Sequence, residues 1–306
     1  MGTLRTTDKP DKPFPVSLIY QLVRLKETPR RRSAHRLRPR DQSDHCVRVG
    51  RLRLDAAEVG SIVSSDEDIA LWDAAATAYA GVAGQSTDSF ARRFMPFLAE
   101  QVGNPAGQYI LDVGCGHGWL AKNLNEQGGI VTAIDGSRGL VDIARAGGEG
   151  VRWLVHDLSA GLPDGLSNAD AAIAHMVLMD LPDLDLLLPS LHAALRPGGI
   201  FVFTLLHPSF FRQSPADDVP AGERYRKVTG YLAQERWWID SYGGHWHYHR
   251  PLQWYVQALV RHGFVITGLS EPPSLPHDLR PEAEWTEYER WFAQIPTMIA
   301  VSARRA

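Results

Sequence analysis

The sequence predicts an α/β fold built on a mostly parallel β-sheet with helices on both faces. Residues 109–113 form a short apolar run, as expected of a buried strand, and lead directly into glycines at positions 114, 116 and 118. Residues 119–126 have the pattern of a helix. Beyond this unit, apolar strands alternate with helical segments, which is typical of successive parallel βαβ units.

The strands and helices can be placed in chain order. Strands are expected near 109–113, 129–134, 151–155, 169–174, 200–206, 263–269 and 297–302. Helices are expected near 69–79, 90–102, 119–126, 137–146, 184–195 and 250–262. Ser137 can accept from free backbone N–H groups at the start of its helix, and Arg196-Pro-Gly-Gly199 ends the leucine-rich helix.

Composition limits the classes of protein to which the chain can belong. Its 306 residues are 44% hydrophobic, which suits one large globular domain with additions. The net charge of −3 gives the whole chain no attraction to nucleic acid or to an anionic membrane. Cys46 and Cys115 make no disulfide framework, and no apolar run approaches the length of a membrane span. We therefore expect a cytoplasmic protein without a membrane partner.

An N-terminal extension, residues 1–65, precedes the globular pattern. Residues 14–27 have the spacing of an amphipathic helix, which could cover an active site, contact another subunit of a homo-oligomer or pack on its own domain. Residues 30–53 contain nine arginines. A solvated basic linker explains them best, and a nucleic-acid contact, a transit peptide or a non-native leader are the alternatives.

The glycine turn has a defined chemical consequence. Glycine allows the backbone to approach a ligand where a Cβ would clash, and the following helix presents its free N–H groups to an acidic or polar ligand group.

The dinucleotide-binding fingerprint is G-x-G-x-x-G. Here the order is G-x-G-x-G, with Asp112 two residues before the first glycine. This spacing argues against an NAD-linked oxidoreductase, which remains an alternative.

The turn resembles motif I of the class I S-adenosylmethionine (SAM)-dependent methyltransferases, in which an acidic residue precedes G-x-G-x-G. Three later features match the same family in order: Asp135 at the end of the second strand, the pair Asp157-Leu158, and the step Leu195-Arg-Pro-Gly-Gly199. The match covers roughly residues 109–206. It implies SAM as the cofactor and a Rossmann-like sheet of seven strands, mostly parallel with the last strand antiparallel, in a domain of residues 66–306.

The resemblance also implies roles for individual residues. Asp135 would accept hydrogen bonds from the ribose hydroxyls, and Asp157 and the Leu158 N–H would meet the adenine ring. Tyr79 would lie near the methionine end of the cofactor, and the loop that begins at His175 would pass under its sulfonium. The cofactor-binding residues expected on this basis are Tyr79, Asp112, Gly114, Cys115, Gly116, Gly118, Asp135, Gly136, Ser137, His156, Asp157, Leu158, His175 and Met176.

Two aromatic-rich insertions, about 207–249 and 271–296, interrupt the second half of the domain. Their Trp and Tyr side chains could line a pocket for a hydrophobic or aromatic small molecule, or form the core of a helical cap. His245-Trp-His-Tyr-His249 raises the possibility of a metal site. No matching carboxylate or cysteine cluster accompanies it in the sequence, so we expect no metal.

His207, at the carboxyl end of the fifth strand, is the first candidate for a general base, and His175 is the second. Either could instead pack or line the cofactor loop. The sequence lacks the N-P-P-[YF] turn of amino-methylating nucleic-acid enzymes and the Pro-Cys pair of cytosine C5 enzymes. A small-molecule acceptor remains, plausibly in secondary metabolism, with O-, N- and C-methylation all open. A methyltransferase-like RNA-binding protein without turnover is the other alternative.

Overall fold

The computed structural model describes residues 65–211, 225–275 and 281–306. The predicted helix at 14–27, the arginine-rich segment and parts of both insertions lie outside these ranges. The helices are α1 (Ser65–Ala80), α2 (Ser89–Val102), α3 (Trp119–Glu126), α4 (Arg138–Ala146), α5 (Leu187–Ala194), α6 (Leu252–Arg261) and α7 (Glu287–Ala293). The strands are β1 (Tyr109–Val113), β2 (Ile130–Asp135), β3 (Arg152–Val155), β4 (Ala169–His175), β5 (Leu195–Leu206), β6 (Glu235–Ile239), β7 (His245–His249), β8 (Phe264–Ser270) and β9 (Met298–Arg305).

Seven of these strands form one sheet in the order β3-β2-β1-β4-β5-β9-β8. The first five are parallel to one another, and β9 runs antiparallel to both of its neighbours, β5 and β8. The predicted Rossmann-like sheet with an antiparallel last strand is confirmed. Because β2 and β4 lie on opposite sides of β1, the order of the strands reverses there, and such a point opens a crevice at the carboxyl edge of the sheet.

The central strands are buried on both faces, which explains their continuous apolar sequence. Side chains alternate along a strand, so Leu111 and Phe203 belong to one apolar cluster while Ile110 and Val202 belong to the other. All four are almost fully buried. Burial of each such side chain stabilises the fold by about 1.5–3 kcal/mol.

Part of the first insertion forms a β-hairpin that the sequence analysis did not predict. Strands β6 and β7 pair in antiparallel register. The indole of Trp237 stacks on two histidine rings of β7, with centroid distances of 5.3 Å to His247 and 4.6 Å to His249. Within the described ranges, no group of three or more His, Cys, Asp or Glu side chains is placed to hold a metal ion. The histidines of β7 therefore pack as part of an aromatic hairpin.

Helix α1 connects the hairpin to the helix that follows β2. Its Asp73 carboxylate accepts hydrogen bonds from the Ser137 hydroxyl and the Gly139 N–H at the start of α4. Near its N-terminus, Asp68 accepts from the Tyr248 hydroxyl of β7. Through these contacts, helix α1 covers the crevice from one side.

None of the helices that the structure describes is long and apolar enough to cross a bilayer.

Candidate active site

The glycine turn between β1 and α3 has a backbone that only glycine adopts easily. Gly114, Gly116 and Gly118 have φ angles of +74°, +54° and +79°. A Cβ on Gly114 would lie 2.4 Å from a methyl carbon of Val177, and one on Gly118 would lie 2.4 Å from the Trp153 ring. Glycine is needed at 114 and 118 both for conformation and for space.

This turn opens on a pocket of about 670 Å³ at the carboxyl edge of β1, β2 and β4. The pocket is lined by Ser65, Asp68, Ile69, Trp72, Tyr79, Gly114, Gly116, Asp135, Gly136, Ser137, Leu140, Asp157, Leu158, Ser159, His175, Met176, Val177, Asp180, Leu181 and Pro182. These residues come from α1, the glycine turn, the ends of β2 and β3, and the loop after β4. The pocket therefore occupies the crevice where the strand order reverses.

Most of the residues predicted from the sequence come together here. Tyr79, Gly114, Gly116, Asp135, Gly136, Ser137, Asp157, Leu158, His175 and Met176 all line the pocket. Asp112, Cys115, Gly118, His156 and His207 are not among its lining residues. Gly118 is instead the N-cap of α3. Cys115 is buried, and burial raises the pKa of its thiol.

Asp112, which the sequence places among the cofactor-binding residues, lies behind the turn and is not among the residues that line the pocket. It is 2% exposed. Burial, together with the charge of Asp135, raises its pKa to about 7, while a hydrogen bond from the Ala121 backbone opposes that rise. Asp112 thus supports the start of α3 and the turn from inside the fold.

Asp135 and Asp157 are fixed by their own backbone neighbours. The two carboxylate oxygens of Asp135 accept from the Gly116 N–H and the Ser137 N–H, both at 2.8 Å. Burial raises the pKa of Asp135 to about 6, and these two bonds oppose the rise. Asp157 accepts from the Ser159 N–H at 2.8 Å. Its second oxygen accepts from the Ser65 hydroxyl.

A second pair of carboxyl groups, which the sequence analysis did not single out, lines the same pocket. Asp68 is 8% exposed, and its Oδ2 accepts from the Tyr248 hydroxyl at 2.8 Å. Asp180 has a buried Oδ1 with no hydrogen-bond partner. Burial first, and then the charge of Asp68, raises the pKa of Asp180 well above its usual range. For Asp180, the sequence signal for a site is its position shortly after β4. Asp68 carries no such signal, since acidic residues are common in the first turn of a helix.

His175 is held as a neutral ring. The Thr204 hydroxyl accepts from the Met176 N–H at 3.0 Å and is hydrogen-bonded to His175 Nδ1 at 2.8 Å. The ring stacks on Phe94 with a centroid distance of 4.5 Å. Burial lowers the pKa of His175 to about 4. Because Nδ1 is bonded to Thr204, Nε2 is the ring nitrogen that is available to a ligand.

The charge state of His175 can be tested directly. Because burial favours the neutral ring, we expect its imidazole to show no protonation between pH 8 and pH 5, whereas an exposed histidine titrates near pH 6.5. NMR of ¹⁵N-histidine-labelled protein measures this, with His175→Gln identifying the resonance and free histidine as the comparison. A midpoint near pH 6.5 for His175 would contradict the assignment.

His207, the first candidate for a base, is not among the residues that line this pocket. It is 4% exposed. Its Nδ1 accepts from the Ser209 N–H at 3.1 Å, and its Nε2 is 2.7 Å from the Glu271 carboxylate. Since Nδ1 accepts, Nε2–H donates to Glu271, and neither nitrogen keeps a lone pair for a substrate proton. The arrangement gives His207 a part in joining the ends of β5 and β8.

Arg250 holds the loop that carries Asp180. It is 5% exposed and precedes α6. Its guanidinium donates to the backbone carbonyls of Leu178, Leu181 and Pro182, at 3.3, 2.8 and 2.7 Å. Its charged group also lies 4.9 Å from the centre of the Trp254 ring. Arg250 therefore fixes one wall of the pocket without lining it.

Comparison with known proteins agrees with this geometry. Residues 111–203 match the family model described as a methyltransferase domain. The chain is 29% identical to an S-adenosylmethionine-dependent methyltransferase from Mesorhizobium loti, with a TM-score of 0.58, covering 69% of this chain and 96% of that one. Residues 111–203 therefore carry a methyltransferase domain, and the described residues have the fold and the glycine turn of the class I SAM-dependent methyltransferases.

Two curated relatives match a shorter region. A malonyl-[acyl-carrier protein] O-methyltransferase from Serratia marcescens is 30% identical over 125 residues, which cover 40% of this chain and 46% of that protein. A ubiquinone biosynthesis O-methyltransferase from Coxiella burnetii is 30% identical over 108 residues, covering 34% of this chain and 46% of that protein. The matches span about half the length of these relatives.

Proposed function

We propose that the protein transfers a methyl group from SAM to a small-molecule acceptor, and that the pocket beside the glycine turn holds SAM. The observation that carries the proposal is the convergence of Gly114, Gly116, Asp135 and Asp157 on one pocket. These residues come from the ends of three adjacent strands. A backbone turn without Cβ atoms and two fixed carboxylates suit a nucleoside that carries a charged tail.

The pocket residues fit the cofactor on structural grounds. A Cβ on Gly116 would lie 3.0 Å from the Tyr79 ring, and one on Gly114 would fill the space before Val177, so the open cradle exists only with glycine. Asp135 accepts one backbone bond on each oxygen, which leaves lone pairs for two ribose hydroxyls. Asp157 and the backbone of Leu158 would bind the adenine edge.

When bound, SAM supplies an electrophilic methyl group on a cationic sulfur. The protein has to bind the acceptor beside that methyl group, align it and exclude water. Trp72, Tyr79, Tyr242 and His245 form a connected set of rings next to the cradle, with centroid distances from 4.6 to 6.5 Å. These rings favour an acceptor with an apolar or aromatic part. The neutral His175 would present its Nε2 to the ligand.

The proposal includes a cytoplasmic location and a role in secondary metabolism, both of which suit a small apolar acceptor. The names of the curated relatives favour oxygen as the methylated atom in those proteins, but the matches cover only 40% and 34% of this chain. The acceptor half has to be judged from its own residues.

Replacing Asp135 tests the cofactor site. We expect Asp135→Ala to weaken binding of S-adenosylhomocysteine (SAH) by about 1.5–3 kcal/mol, because the ribose hydroxyls lose a charged acceptor. Isothermal titration calorimetry measures the effect, with the exposed Asp142→Ala on α4 as the matched control. Unchanged SAH affinity in Asp135→Ala would contradict the site. A thermal-shift comparison of SAH with NAD separates the proposal from an NAD-linked enzyme.

A further inference from the structure

Two carboxyl groups of the pocket, those of Asp68 and Asp180, have no role in the nucleoside binding proposed above. Asp135 and Asp157 are placed at the strand ends to bind the nucleoside. Asp68 and Asp180 line the same pocket on the side of α1 and of the loop after β4. The buried Oδ1 of Asp180 has no partner. Such a group costs free energy in the empty pocket unless a ligand pairs with it.

The charge of the pocket favours one kind of acceptor. Its lining, as far as the structure describes it, contains four aspartates and no Lys or Arg. A carboxylate or phosphate on the acceptor would enter next to Asp68 and Asp180, whereas the nearby cations, Arg236 beside Asp68 and Arg250 on the carbonyls around Asp180, are not among the lining residues. A group that carries hydrogen-bond donors and a positive charge would satisfy both carboxyl groups.

The aromatic rings beside the pocket also favour a positively charged acceptor. Trp72 lies 4.6 Å from His245 and 6.5 Å from Tyr242, measured between ring centroids, and Trp72 also lines the pocket. Aromatic faces attract cations, most strongly where water is excluded. Burial lowers the pKa of His245 to about 4, so this ring adds no competing positive charge at neutral pH.

We propose, on the basis of the methyl transfer proposed above, that the acceptor is an amine whose ammonium group is bound by Asp180 and Asp68, with its organic part against Trp72 and Tyr242. Tyr248 then acts as a positioning residue, because its hydroxyl donates to Asp68 and leaves the other oxygen of that carboxylate for the ligand. For N-methylation at this site the ammonium group would first give a proton to the Asp180 carboxylate, and the freed nitrogen lone pair would then form the new N–C bond as the S–CH3 bond of SAM breaks and SAH leaves.

Asp68 and Asp180 line the same pocket as the cofactor cradle, but other contacts hold them in place. Asp68 is tied to β7 of the hairpin, and Arg250, just after that strand, donates to the carbonyls on both sides of Asp180. The hairpin belongs to the insertion that lies outside the region matched by the methyltransferase family model, residues 111–203. Asp68 is thus held by the hairpin outside the matched region, whereas Asp180 lies inside that region, in the loop after β4.

A set of three indoles tests the proposal because they share a ring and differ in one group. Full-length protein saturated with SAH is titrated calorimetrically with tryptamine, tryptophol and indole-3-acetate. We expect tryptamine to bind at least tenfold more tightly than tryptophol, and indole-3-acetate to bind most weakly. Equal or reversed order, or no binding of tryptamine, overturns the proposal.

Two variants show which residues carry the preference. Asp180→Asn and Asp68→Asn keep the size of the side chain, and Asp68→Asn keeps an acceptor for Tyr248; each should lower tryptamine affinity about tenfold and leave SAH affinity unchanged. The exposed Asp185→Asn is the matched control. If both variants weaken SAH as much as tryptamine, the pair binds the amino group of the cofactor and the proposal is wrong. If wild type fails to bind SAH at all, the methyltransferase proposal itself fails.

Discussion

Gly114→Ala is expected to lower SAH affinity by about 100-fold, the largest loss at the cofactor site. Two effects combine at this position. Alanine is strained at a φ of +74°, at a cost of about 1–2 kcal/mol. Its Cβ would also lie 2.4 Å from Val177 Cγ2, so the turn or the loop after β4 has to move. Both segments line the pocket, and calorimetry with SAH measures the loss.

Gly107→Ala provides the matched control. Gly107 has nearly the same φ, +76°, but nothing lies within 4 Å of the position that its Cβ would take. It should therefore show the loss in stability from backbone strain, about 1–2 kcal/mol, with unchanged SAH affinity. Equal SAH affinities in Gly114→Ala and Gly107→Ala would mean that the approach to Val177 does not shape the pocket.

The sheet and the cofactor half of the pocket could be predicted because their signals are local. Strand β1, the glycine turn and α3 are contiguous, and the α3 limits, Trp119–Glu126, agree with the sequence prediction. Asp135 ends β2 and Asp157 lies two residues beyond the end of β3. Parallel strands bring their carboxyl ends to one edge of a sheet. Once the strands were recognised, the positions of both acids followed from the topology.

The acceptor half could not be predicted in the same way because its contacts join distant parts of the chain. Asp68 and Tyr248 are 180 positions apart, and His207 and Glu271 are 64 apart. Nothing near His207 in the sequence indicates that both of its nitrogens are engaged. The sequence does not predict the hairpin, because β6 lacks the alternation of apolar and polar residues that marks a half-buried strand. Its aromatic side chain Trp237 instead stacks on histidine rings of β7.

Arg250→Met is expected to destabilise the fold by about 3 kcal/mol, the largest stability loss that we predict outside the apolar core. Methionine fills much of the same volume but donates no hydrogen bond. The carbonyls of Leu178, Leu181 and Pro182 would then lose their charged donor in a buried place. Denaturant unfolding measures the change, with an unchanged m value showing that the transition stays cooperative.

The same substitution should separate the two halves of the pocket. Arg250 fixes the loop around Asp180, whereas Asp135 and Asp157 are held by their own backbone neighbours. We therefore expect Arg250→Met to weaken tryptamine binding to the SAH complex about tenfold or more and SAH binding by less than threefold, at a temperature where the variant is folded. Arg261→Met, at the exposed end of α6, should change neither stability nor binding. Arg250→Lys keeps a charge and fewer donors, and an intermediate stability would show that the loss comes from the unpaired carbonyls. If Arg250→Met were as stable as Arg261→Met, the loop would be held by its own packing, and Arg250 would not position Asp180.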